Sequence, residues 1–167
     1  LEPSAAGHAL KLQLLSALHL ESEAFDPQPA PGAELLVLAG DIDASWASFA
    51  RFAHWPVPVL FVAGNHECHG RELDDAWPAR RARVNALGWT LLERSSIVLT
   101  DNNGQRLRFV GTIRWSDFDL FGGERQASAM KAAAYFMRLM RSTRQGQPFD
   151  AAGVRAEALA CRAWLAE

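Results

Sequence analysis

Three short polar segments between Ser16 and Glu67 carry side chains suited to metal and phosphate chemistry. They are Ser16-Ala17-Leu18-His19-Leu20-Glu21, Gly40-Asp41-Ile42-Asp43 and Gly64-Asn65-His66-Glu67. A carboxylate such as Asp41 can bridge two divalent ions with its two oxygens. Imidazole nitrogen (His19) and carboxamide oxygen (Asn65) are suitable ligands for ions of the Mn, Fe or Zn class. Two such ions ~3.5–4 Å apart clamp a phosphoryl group and supply a metal-bound hydroxide. A neighbouring histidine such as His66 can hydrogen-bond a phosphate oxygen or protonate the leaving group. Each residue also has a plain structural role open to it: His19 as a surface or cap residue, Asp41 as a helix cap, Gly64-Asn65 as a turn. The placement of all three segments favours the chemical reading, because each directly follows an apolar run.

Those runs are residues 11–16, 34–39 and 57–63. The first begins with period-2 character and reads as a buried strand. The second is apolar throughout and bounded by turn residues, as expected of a strand covered on both faces. The third holds Pro58 near its start, where a missing donor is tolerated. Between the second and third, Trp46, Phe49, Ala50 and Ala53 fall at i, i+3, i+4 and i+7, which predicts a helix over residues 44–53, capped by Asp43 or Ser45. Strand, helix and strand at this spacing predict parallel βαβ units. Ligands in parallel α/β sheets collect beyond the carboxyl ends of the strands, so His19, Asp41, Asn65 and His66 should share one edge.

Downstream, Pro78 and Gly88 bracket a helix over residues 78–87. Residues 89–92 and 95–99 read as short strands. The turn Asp101-Asn102-Asn103-Gly104 should return the chain along residues 106–111 as a hairpin. Residues 115–123 read as a loop. Met130, Ala133, Ala134, Met137 and Met140 form a helical stripe, better suited to packing than to a cofactor. A last helix is predicted over residues 150–165, with Asp150 as its N-cap and Val154, Ala158, Cys161 and Leu165 on one face.

Composition sets the outer limits. The 167 residues are 49% hydrophobic and 22% charged, with a net charge of −2, which is globular and gives no support for coating nucleic acid. No apolar run approaches the ~18–20 residues that cross a bilayer. Two cysteines, Cys68 and Cys161, are too few for a disulfide framework and read as reduced thiols of a cytoplasmic protein. Residues 1–10 lack the pattern of a secretory signal, and a first residue of Leu1 reads as a fragment or processed product.

The three polar segments resemble the calcineurin-like metallophosphoesterases. That family has Asp-x-His after its first strand, Gly-Asp after its second, and Gly-Asn-His-Glu or Gly-Asn-His-Asp after its third. This chain has Ala17-Leu18-His19, Gly40-Asp41 and Gly64-Asn65-His66-Glu67. The stretch from Phe109-Val110-Gly111 to Trp115-Ser116-Asp117-Phe118 also looks like the strand and lid loop of one bacterial branch, so the resemblance covers about residues 12–121. It implies the N-terminal part of a metallophosphoesterase-type α/β sandwich, a mostly parallel sheet flanked by helices, forming one domain over residues 1–167 that is incomplete at its C-terminal end. It also implies two divalent metal ions, with His19 a ligand of the first, Asp41 bridging both, Asn65 on the second, and His66 as the catalytic histidine that contacts phosphate. The implied substrate is a phosphoester small molecule or nucleotide.

Two departures qualify what the resemblance implies. Ala17 stands where the family has a ligand aspartate, and no histidine follows His69, although the family supplies three more imidazole ligands there. The expected function is therefore metal-dependent hydrolysis of a phosphate mono- or diester, impaired in this chain. The alternative is a catalytically inert domain of the same fold that serves as a binding module. Trp115 and Asp117, with Phe118, are candidates for the substrate mouth, against ordinary loop packing. His69 reads as a surface residue and Cys68 as a small packed one. Arg80, Arg81 and Arg83 read as a solvated helix face.

Overall fold

The structure, a computed structural model, describes residues 10–101 and 103–167. Four parallel strands form one sheet in the order β1-β2-β3-β4: β1 Leu12–Leu15, β2 Leu35–Ala39, β3 Val59–Val62 and β4 Thr90–Leu91. The register sets Leu12 against Leu35, Leu36 against Val59, and Leu60 against Thr90. Helices flank this sheet, so the chain is of the α/β class.

Alternation along the central strands divides the core in two. Leu36, Leu38, Val59 and Phe61 join a large cluster with Phe49, Phe52, Leu73, Val84, Val154 and Ala158 from the helical segments. Leu35 and Leu60 point the other way, with Val37 and Val62, and meet Leu92 and the hairpin residues Ile97, Leu99 and Phe109. That hairpin, β5 Ser95–Thr100 with β6 Arg106–Gly111, forms as expected. The Asp101 carboxylate accepts from the N–H groups of Asn103 and Gln105 to close it. β1 is not the buried strand that its composition suggests. It lies at the sheet edge, and Leu12 and Leu14 are exposed.

Three helices follow: α1 Leu73–Ala86, α2 Gly123–Met140 and α3 Ala151–Ala166. Asp150 caps α3, accepting from Gly153 N at 2.9 Å, as expected. The methionine stripe forms the inward side of α2, with Met140 buried. A short hairpin, β7 Thr143–Arg144 with β8 Gln147–Pro148, joins α2 to α3.

Three further expectations about the helical segments need correction. The segment over residues 44–53 is a 3-10 helix, Ala47–Phe52, and not an α-helix. The Asp43 carboxylate accepts from the N–H groups of Ser45 and Ser48, and these local bonds compete with an α-turn. The tighter three-residue turn then buries Phe49 and Phe52 and leaves Ala50 exposed. Second, α1 starts five residues before Pro78, because Leu73 and Ala76 are buried and hold its first turn against the core. Third, Arg80 is not solvated. It shares a stripe with Leu73, Ala76 and Val84, is 0% exposed, and lays its guanidinium 4.3 Å from the centre of the Trp77 ring. Arg81 and Arg83 are exposed as expected. Among the described residues, no helix is long and apolar enough to cross a membrane.

Candidate functional site

The segments that leave β1, β2 and β3 are stitched into one layer by backbone bonds. Ala17 N donates to Gly40 O, His19 N to Asp41 O and Leu20 N to Ile42 O, at 2.9–3.0 Å. The next stitch is Glu67. Its Oε1 accepts from Ile42 N (2.7 Å) and Asp43 N (3.1 Å), and its Oε2 from Asp41 N (3.0 Å) and Gly64 N (2.6 Å). Burial pushes the Glu67 carboxyl up from its usual range, and these four backbone donors pull against it.

Close approach of the two loops demands glycine at position 64. A Cβ there would lie 2.1 Å from Asp41 Oδ1 and 2.6 Å from Asp41 N. Ala17, His19 and Asp41 all adopt left-handed backbone, with φ of 51°, 47° and 53°. Such positions cost ~1–2 kcal/mol each for a residue with a side chain, and the bonds just described hold them.

The structure brings His19, Asp41, Asn65 and His66 to one carboxyl edge of the sheet. Asp41 Oδ1 accepts from the backbone N–H of His66 at 3.0 Å. His19 Nδ1 lies 3.2 Å from His66 Nδ1, with the rings edge to face. Asp41 and Asn65 also line a cleft of about 690 Å³, whose far wall includes Thr112, Arg114, Trp115 and Phe118. Trp115 is mostly buried, its ring against Phe149. Asp117 is not among the lining residues. Its carboxylate accepts from Arg162 Nη1 (2.9 Å) and Arg114 Nη2 (3.4 Å).

Glu21 is a site residue that sequence reasoning did not single out. Its Oε1 lies 2.9 Å from His66 Nδ1 and 3.5 Å from His19 Nδ1, and its Oε2 accepts from Ala44 N. Burial acts to raise its pKa. The bonds from its own backbone, His66 and Ala44 outweigh that and hold the carboxyl below its usual value. The available signal was position: Glu21 lies two residues past His19 on the same short segment. His69 is also not the surface residue expected. It is half-buried, with its ring 4.1 Å from that of His66, and burial and the neighbouring His66 lower its pKa. Cys68 is a small packed residue, buried and in no disulfide, its Sγ accepting from Arg80 Nη1 at 3.6 Å.

Among the described residues, one group of three histidine, cysteine or carboxylate donors lies within 4.8 Å of one another: His19, Glu21 and His66. The Asp41 carboxylate does not join it. The site therefore does not fit the two bridged ions that the resemblance implies. The Asp41 carboxylate is outside the group, and Ala17 offers a methyl where the resemblance implies a ligand. Comparisons with protein-family models, curated proteins and solved structures found no match for this chain.

Proposed function

We propose that this chain is a metallophosphoesterase-type domain that binds a phosphate mono- or diester at the carboxyl edge of its sheet and hydrolyses it slowly. The observation that carries this reading is that Asp41 and Asn65 line the cleft while the Asp41 carboxylate accepts from the backbone N–H of the next residue, His66. His66 has its Nδ1 turned to Glu21 and His19. That leaves Nε2 to donate to a phosphate oxygen and, as a solvent water forms its bond to phosphorus and the ester P–O bond breaks, to pass its proton to the departing alkoxide while the water's proton goes to solvent. Asn65 offers a carboxamide N–H, and Arg114 brings a cation to the cleft that complements a phosphate dianion. What the site lacks is an activated nucleophile. Ala17 offers a methyl where the resemblance implies a ligand carboxylate for a paired-ion hydroxide. Ala17 also favours the second reading, an inert module that binds the ester without cleaving it.

Calorimetric titration with inorganic phosphate, alongside manganese-supplemented hydrolysis of an aryl phosphate, tests both readings. Binding that is lost in His66→Ala and Asn65→Ala is expected, with turnover more than ~10-fold below an intact family enzyme. Saturable turnover abolished by His66→Ala supports slow hydrolysis, and binding with no turnover supports the module. Absence of phosphate binding in the parent chain, or equal binding in His66→Ala, overturns the proposal.

A further inference from the structure

We infer that His19, Glu21 and His66 form a site for a single divalent ion of the zinc class, held by two imidazole Nδ1 atoms and one carboxylate oxygen. The inference stands on geometry and does not depend on whether the chain cleaves an ester. The three donor atoms form a nearly regular triangle with edges of 3.2, 2.9 and 3.5 Å. A circle through them has a radius of about 1.9 Å, just under the ~2.0–2.2 Å of zinc bonds to histidine nitrogen and carboxylate oxygen. One ion can therefore touch all three from one side of their plane, which leaves its other side open to water or a ligand.

Hydrogen bonding alone does not satisfy this triangle. With Glu21 ionised, a proton on His66 Nδ1 alone leaves the lone pair of His19 facing the carboxylate. A proton on His19 Nδ1 alone leaves the lone pair of His66 facing it at 2.9 Å. Protons on both set two N–H groups against each other at 3.2 Å. Every arrangement leaves one contact repulsive, and a cation at the centre relieves all three.

The surroundings hold the donors in place. Glu21 Oε2 accepts from Ala44 N, which aims Oε1 at the histidines. The backbone of His19 is tied to Asp41 O, and that of His66 to the Asp41 carboxylate. Bonds of this kind orient ligands in metal sites generally. The donor side chains are each about a quarter to a third exposed, so an ion can reach them from solvent. This set differs from the two-ion arrangement in a way that can be measured: Glu21 is a ligand and Asp41 is not.

Calorimetric titration of chelator-stripped chain with zinc chloride is expected to show one ion per chain. Cobalt(II) should give visible absorption bands at the same stoichiometry, displaced by zinc. Glu21→Gln, which keeps an acceptor for Ala44 N, and His19→Ala should each weaken zinc binding at least tenfold and diminish the cobalt bands. Glu23→Gln, at an exposed carboxylate outside the triangle, should change it less than threefold. Melting curves without metal check that each variant folds, and if one of the two ligand variants does not, the other decides. No stoichiometric binding, tight binding retained in Glu21→Gln or His19→Ala, or binding abolished in Glu23→Gln overturns the inference.

Discussion

Replacing Glu67 by glutamine should cost this fold more than its small chemical change suggests. Glu67 is 0% exposed, and its two oxygens together accept from four backbone N–H groups in the loops after β2 and β3. Glutamine keeps one acceptor oxygen. Its amide nitrogen must then face two N–H donors, those of Asp41 and Gly64 or those of Ile42 and Asp43. Two bonds to a charged acceptor are lost, at about 1.5–3 kcal/mol each. The amide also escapes the burial that pushes the carboxyl pKa up, which returns part of the loss and leaves a net cost of about 2–4 kcal/mol. With a urea m-value of roughly 2 kcal/mol/M, the midpoint should fall by about 1–2 M. Equilibrium urea unfolding at pH 7 measures this, with the exposed Glu23→Gln as a control that should not move. A Glu67→Gln midpoint within roughly 0.3 M of the parent would refute the claim that this carboxylate holds the two loops together.

Two further outcomes follow from the same edge. Gly64→Ala must push against backbone as well as the Asp41 side chain, with contacts of 2.6 and 2.1 Å to relieve, and should lower stability by about 1–3 kcal/mol in thermal melts. An unchanged melting temperature would contradict the observed loop spacing. For Asp43, burial acts to raise the pKa, but the bonds from Ser45 and Ser48 prevail and hold it below the usual carboxylate value. Its folded pKa is therefore lower than its unfolded one, so its contribution is present above about pH 4 and fades as pH falls through the folded value. Asp43→Asn should cost about 1–3 kcal/mol at pH 7, and the gap to the parent should close towards pH 2.5. A gap constant across that range would show that the charge is not what matters.

What could be read from the sequence was local. Apolar runs marked β1, β2 and β3, and the polar residues just past them do meet at one edge of the sheet. The Asp101 turn and the Asp150 cap work through bonds to residues a few positions away, so they too were visible. What escaped depended on partners distant in the chain. Arg80 looked solvated beside Arg81 and Arg83 until the start of α1 at Leu73 placed it on the buried stripe. Glu67 passed as part of a motif, because its four partners lie on another loop or just before it. Glu21 escaped because its link to His66 spans 45 positions and depends on the pairing of neighbouring strands.

The sheet also carries a timetable. Its strands lie side by side in the order of synthesis, and the first two pairings share one offset, Leu12 with Leu35 and Leu36 with Val59. The donors at the carboxyl edge end with Glu67 and His69, whereas the far wall of the cleft, around Arg114 and Trp115, is made much later. Chains emerge from the ribosome N-terminus first. Glu67, the carboxylate that clamps the loops after β2 and β3, is among the last pieces of the edge to be translated. The residues of the His19, Glu21 and His66 triangle are thus translated well before those that build the far wall of the cleft.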